Sequence, residues 1–292
     1  MFKFKSSALK NELNAPQKVI MYLFLLICFL LMILPMWNVI VVSTSTRLAS
    51  TSSGVKLWWS EFSMEGYEYV FRVANMGKPF LNSLYVTLVG VIMEVILASF
   101  AGYVLIQKEL PGKTVITSFI MVTMMIPVDL TSISIYQMNK SFHLTNTYTG
   151  LIINGLISGF AILLMRNYFV SVPYSLAESS RLDGASEFRI FFQIFLPISL
   201  PGLATVFFMQ FVSKWNSITL PAVLITEEKK YTLPLLLKSL IIQTEASQSG
   251  GNRAPQNAIM AAVVISTIPL LLIYVFSQQF LLSGMTLGAS KE

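Results

Sequence analysis

The sequence predicts an all-α, polytopic membrane protein with six transmembrane helices, and three observations predict it. Of the 292 residues, 54% are hydrophobic and only 12% charged, about half the roughly 25% charged share of a soluble domain. The apolar residues gather in six runs, each close to or above the about 20 residues that cross a bilayer. The Lys and Arg residues behind the net charge of +6 stand at the ends of those runs, as the flanks of membrane helices do. They do not interleave with aromatics in a nucleic-acid-binding patch. The same arithmetic, with a mean hydropathy of +0.68, fits neither a water-soluble enzyme nor a disordered chain. The single cysteine, Cys28, allows no intrachain disulfide framework, and the single histidine, His143, no His-rich metal site.

The first run, Val19–Ser43, carries no charge and follows a basic tail, residues 1–18, holding Lys3, Lys5, Lys10 and Lys18. It is longer than the about 7–15 apolar residues of a signal peptide, and no clear small-residue cleavage site follows. It reads as an uncleaved anchor. Residues 44–79 form an outer loop. Residues 80–282 hold five further spans: Phe80–Ile106 with Glu94, Val115–Met138 with Asp129, Tyr148–Phe169 with Arg166 near its end, Ile198–Leu224 with Lys214, and the uncharged Asn257–Leu282. A short basic first tail favours the cytoplasmic side. Six spans then return the tail 283–292 to the same side, so both termini are cytoplasmic. Residues 107–114 and 166–197 lie inside, and 139–147 and 225–256 outside. Six spans without internal or inverted repeats suit a subunit better than a complete secondary transporter.

Gly112-Lys113-Thr114 imitates the end of a phosphate-binding loop, but Gln107 stands where the motif needs its first Gly. It reads as a tight turn between spans, and no nucleotide site is visible. The informative stretch is the inner loop at about 171–197. Pro173 suits a first helical turn, and Gly184 suits the left-handed residue that ends a helix. A second short helix then places Phe188, Phe191, Phe192 and Phe195 at i, i+3, i+4 and i+7 on one face. Such a helix–Gly–helix element either lies on lipid headgroups or docks, with Glu178, Arg181, Asp183 and Arg189, in the cleft of a cytoplasmic partner.

Glu178-Ser179-Ser180-Arg181-Leu182-Asp183-Gly184-Ala185, followed by Phe188 and by Leu196-Pro197, resembles the EAA motif of ABC importer permeases. Ser179 and Ser180 replace two alanines, small for small. Further stretches are similar to the carbohydrate branch, the MalG maltose-permease family of binding-protein-dependent systems: Phe80-Leu81-Asn82-Ser83, Met125-Ile126-Pro127, Leu144-Thr145-Asn146-Thr147-Tyr148, Lys214-Trp215-Asn216 with Pro221, and the tail from Gln278 to Lys291. The resemblance covers about residues 80–292. It implies a type I ABC importer permease in a prokaryotic plasma membrane, not an enzyme, carrying a sugar. It further implies a second homologous permease subunit in a heterodimer, two ATP-binding subunits that hold ATP and magnesium, and an extracytoplasmic solute-binding protein. This chain itself would hold no cofactor or metal and bind no nucleic acid; its other surroundings are membrane lipid. Glu178, Ser179, Ser180, Leu182, Asp183, Gly184, Ala185 and Phe188 become the ATPase-coupling residues.

Ionisable groups in hydrocarbon cost at least about 2.5–3.5 kcal/mol each, so they face one another or a wet path. Lys214 therefore forms either a structural salt bridge with Glu94 or Asp129, or part of a polar translocation path with Glu94, Asp129, Asn154, Trp215 and Asn216. Trp215 has a face for a sugar ring, or for its helix neighbours. An ion-coupled carrier acting alone, with Glu94 and Asp129 as coupling sites, and a permease for a non-sugar organic solute are the competing readings. Before the last span, Thr232–Ile242 reads as a short helix begun by Pro234. The polar stretch after it is either a flexible connection or, by the maltose-system resemblance, a loop that enters the binding protein's cleft. Gln248, Ser249, Gly250, Gly251, Asn252 and Arg253 are the residues in question.

Overall fold

A computed structural model describes residues 14–246 and 254–289, with the side chains of 128–129, 244–246 and 281–289 outside the description. Among the described residues the protein is all-α; the one strand-like feature is an isolated bridge between Ser45 and Phe62. Helix α1 spans Ala15–Ser43, starting four residues before the apolar run because Pro16 fits its first turn and the Gln17 side chain accepts the Asn14 backbone N–H at 3.0 Å. Residues 44–79 contain α2 (Arg47–Thr51) and α3 (Glu65–Arg72). Helix α4 (Gly77–Val104) is the second continuous apolar span.

The next three candidate spans are broken, each at an identifiable place. The third divides at Met125–Pro127 into α5 (Lys113–Met124) and α6 (Val128–Ser141), because a residue before proline is disfavoured in the α region. The fourth divides into α7 (Tyr148–Asn154) and α8 (Gly159–Val170), which meet at 50°. There Ser158 caps α8 by accepting the Ala161 N–H at 3.2 Å. The inner loop contributes α9 (Tyr174–Leu182) and α10 (Glu187–Ile190), a π-helical turn over Phe191–Phe195, and α11 (Leu196–Ile198). Helix α12 (Leu200–Trp215) leaves that segment at 77°.

The fifth span was expected to run to Leu224, and the structure ends α12 at Trp215. Pro221 within a continued helix would clash with the carbonyl four residues earlier, so the chain stops and restarts as α13 (Thr219–Leu224). Pro234 stands in the first turn of α14 (Leu233–Ala246), and α15 runs from Gln256 to Ala289. Among the described residues three helices are long and apolar enough to cross a membrane, and up to five spans result if each bent pair counts as one.

The core forms where α4 meets α8 and α12, and where α12 meets α15. Val91, Val95, Met165, Phe169, Val206 and Phe211 fill it. Small residues permit the approach, as in other membrane bundles: a Cβ at Gly102 of α4 would stand 2.9 Å from the backbone nitrogen of Arg166 in α8. Helix α1 reaches α15 and otherwise stays apolar and exposed along its length.

Candidate functional site

Two groups of residues stand out: a polar network around the inner loop and a polar cavity inside the bundle. In the inner loop, Pro173 is the N-cap of α9 and Asp183 its C-cap. Gly184 follows at φ +80°. Its N–H donates to the Arg181 carbonyl at 3.0 Å, and the Ala185 N–H to the Ser180 carbonyl at 2.9 Å. This pair of bonds is a Schellman ending, so the left-handed glycine stands where the sequence placed it. Ser186 then caps α10, accepting the Arg189 N–H.

The aromatic face differs from the expected one. Phe191 and Phe195 are buried against Phe100, Tyr103 and Phe169, with Phe100 and Phe191 stacked at 4.8 Å. Phe188 and Phe192 point outward. The π-helical turn over 191–195 adds a residue to the local period, so the i+7 relation from Phe188 to Phe195 does not hold. The element thus keeps an aromatic anchor in the core and a separate outer face. Leu182 is 89% and Phe188 71% exposed. Glu178, Ser179, Asp183 and Gly184 are exposed around them, and Ser180 and Ala185 are half-buried.

Behind that exposed face the loop is tied to the C-terminal end of α4. Arg181 forks onto Glu187, Nε to Oε1 at 2.6 Å and Nη2 to Oε2 at 3.2 Å. It also donates to Tyr174 Oη at 3.1 Å and to Gln107 Oε1 at 3.0 Å. The bond to Glu187 above all, with the one to Tyr174, pushes the guanidinium pKa further up. Tyr103 of α4 donates to Glu187 Oε2 at 2.6 Å. Lys108 meets Glu178 at 2.7 Å, which raises the ammonium's pKa, and lies 4.2 Å above the Tyr174 ring. The Lys108–Glu178 pair is exposed and screened, and contributes little by itself. Sequence reasoning placed Arg181 in the loop but missed its neighbour Glu187, six residues on, and missed Tyr103, Gln107 and Lys108, whose partners lie about 70–85 residues away in the chain and leave no local pattern.

The second group surrounds a cavity of about 380 Å³ between α4, the α7–α8 break and α12. Glu94 is 1% exposed, and Lys214 Nζ lies 2.8 Å from its Oε2. That is ion-pair length, though the geometry is not that of an aligned hydrogen bond. Lys214 also donates to the carbonyl of Gly155, which the broken helix leaves free at membrane depth. Irregular backbone is tolerated there only when protein or a wet cavity satisfies it. The Ser158 hydroxyl, on the same cavity lining as Glu94, accepts from Gln210 Nε2 at 3.3 Å. Asn154 and Asn139 exchange side-chain bonds of 2.8 and 3.2 Å.

The structure therefore pairs Lys214 with Glu94 and puts Asn154 and Trp215 on the cavity lining. Trp215 is buried with its indole N–H on the Ser266 carbonyl at 2.9 Å, and its ring stacks on Phe211 at 5.8 Å. Asn216 does not line the cavity; it is exposed, its amide on the Val212 carbonyl at 3.0 Å. The Asp129 side chain and all of Gln248–Arg253 lie outside the described residues. Sequence reasoning missed Ser158, Gln210 and the Gly155 carbonyl. It also left Asn139 in an outer loop, whereas α6 extends to Ser141 and buries it.

The protein with which this chain shares 32% identity over 280 residues is the polygalacturonan/rhamnogalacturonan transport system permease protein YtcP of Bacillus subtilis; the match covers 94% of this chain and 97% of that one. The arabinooligosaccharides transport system permease protein AraQ of Halalkalibacterium halodurans is 27% identical over 262 residues, 89% of this chain and 91% of its own. In fold, the chain matches a bacterial ABC transporter involved in import of the acidic polysaccharide alginate, with a TM-score of 0.80 at 24% identity, covering 96% of this chain and 100% of that one. The family described as binding-protein-dependent transport system inner membrane component matches residues 94–287, from the buried Glu94 through the inner loop to the last helix, and the chain belongs to that family.

Proposed function

We propose that this chain is one half of a heterodimeric permease in an ABC importer for an oligosaccharide. As a family member it is a transport subunit of a multi-pass membrane assembly and not an enzyme. The observation that carries the sugar reading is the 32% identity, sustained over 94% of the chain, to a permease named for polygalacturonan and rhamnogalacturonan. A second permease would complete the path. Two cytoplasmic ATPases would bind ATP and magnesium, and an extracytoplasmic binding protein would deliver the sugar. The termini would be cytoplasmic, and the membrane the plasma membrane of a prokaryote.

In this reading the exposed face around Leu182, Gly184 and Phe188 docks in the ATPase. The Arg181–Glu187–Tyr103 bonds pass its movement to α4. Tyr103 and Glu94 share that helix, nine residues and about 14 Å apart, so tilting its inner end moves Glu94 against Lys214 and the Gly155 carbonyl. Cavity residues Glu94, Asn154 and Lys214 form part of the path, with Asp129 joining them. Co-purification with a second permease and an ATPase, followed by ATP- and binding-protein-dependent uptake of labelled oligosaccharides, tests the reading. Uptake by the single chain under an ion gradient, without ATP, would overturn it.

Two outcomes follow from the parts. Arg181→Lys keeps the charge but loses the planar fork that reaches Glu187, Gln107 and Tyr174 together. Uptake by the assembled importer should fall severalfold at an unchanged membrane level of the chain; parental uptake would remove the network from the coupling route. Shortening Ser247–Asn252 should reduce uptake while assembly with the ATPases and resting ATP hydrolysis persist, because Gln248–Arg253 would contact the binding protein. Unchanged uptake would leave that loop a surface connection.

A further inference from the structure

In the segment between α1 and α3 several polar groups turn on one another, while Ser52, Ser53 and Ser60 stay exposed. Lys56 donates to the carbonyl of Ala49, Thr46 Oγ1 to Glu61 at 3.0 Å, and the Arg47 N–H to Glu65 at 3.1 Å. The Trp59 indole N–H donates to Thr44 Oγ1 at 2.6 Å. The large apolar side chains point outward instead: Val55 is 71% and Trp58 73% exposed, and Leu57 is exposed beside them.

The height of this segment is fixed by α1. With 29 residues the helix is about 43 Å long, which matches the about 40–45 Å of a bilayer with its headgroups. Trp37 and Asn38 lie about 8–9 Å before its C-terminal end, by the rise per residue. The Trp37 indole N–H donates to the Leu57 carbonyl at 2.9 Å, and the Asn38 amide to the Lys56 carbonyl at 3.2 Å. Trp59 packs between Trp37 and Trp58, at 5.9 and 5.0 Å. These contacts hold residues 55–59 beside the helix at the boundary between headgroups and acyl chains. There the patch continues the exposed apolar belt that α1 presents to lipid, and there indole rings settle, one end apolar and one wet.

We propose that residues 55–59 are an interfacial anchor, with Val55, Leu57 and Trp58 seated in the lipid of the leaflet at the C-terminal end of α1. The loop that follows the first span then lies in the membrane surface and is not a platform for another protein. The outward side chains of Val55 and Leu57 carry no hydrogen-bonding group, and the exposed Trp58 indole keeps its N–H for the headgroup level, which suits a lipid–water boundary.

The test uses the assembled importer in nanodiscs, in a Cys28→Ala background, with an environment-sensitive fluorophore on Leu57→Cys or Trp58→Cys. Brominated phosphatidylcholine should remove most of the emission, as at Leu31→Cys on the exposed flank of α1, and aqueous iodide should leave it unchanged. Lys140→Cys, at the end of α6, gives the iodide-sensitive reference. Quenching by iodide without quenching by lipid would overturn the proposal. So would protection from both, which means that the partner permease or the binding protein covers the patch.

Discussion

Replacing Gly184 by Val should abolish uptake while the chain still reaches the membrane. Gly184 holds φ +80° at the end of α9, and the Schellman bonds from its N–H and that of Ala185 depend on that conformation. The left-handed region costs an ordinary residue roughly 1–2 kcal/mol, and a β-branched one more. A Cβ at this position would meet nothing within 4 Å, so within this chain the penalty is conformational and not steric. The backbone relieves it by ending α9 elsewhere, which displaces Leu182 and Phe188 relative to one another and spoils the face offered to the ATPase. Asn tolerates the left-handed region better than Ala despite its larger size. Uptake should therefore fall in the order Gly, Asn, Ala, Val. An order that follows side-chain size, with Ala above Asn, would show that the ATPase cleft needs a small residue and not a particular backbone angle.

Gly184 was legible because its signal is local: a proline that opens a helical segment, a glycine that ends it, and a second short helix within a few residues. The all-α membrane architecture was legible for a related reason, since bilayer thickness dictates run length directly. What failed to show was whatever depends on contacts between distant segments or on irregular backbone. The π-helical turn at 191–195 cannot be seen in a pattern that assumes a fixed period, so Phe188 was grouped with the buried Phe191 and Phe195. The break at Gly155–Ser158 lies inside an apolar run whose averaged hydropathy conceals it. Yet that break frees the carbonyl that holds Lys214. The sequence offered Lys214 two acidic partners, and tertiary packing alone brings Glu94 to it.

Lys214→Leu should cost the assembled permease its transport before it costs the chain its place in the membrane. Leu inserts more readily than Lys at the centre of a span, so insertion does not suffer. Inside the bundle, however, the change leaves Glu94 almost wholly buried without its cation, and the Gly155 carbonyl without its donor. Breaking a buried pair from one side typically destabilises by about 3–5 kcal/mol, and a thermal-shift measurement on the detergent-solubilised complex should register it. The companion is the double replacement Glu94→Leu and Lys214→Leu, which removes both charges; apolar replacement of an entire buried pair is often neutral or stabilising. The double variant should recover thermal stability. If the pair is part of the path, uptake stays low in it, because the cavity has lost the polar groups that Ser158, Gln210 and the broken α7–α8 segment are arranged around. If uptake recovers together with stability, Lys214 and Glu94 only hold three helices in register, and the path for the solute lies elsewhere in the permease pair.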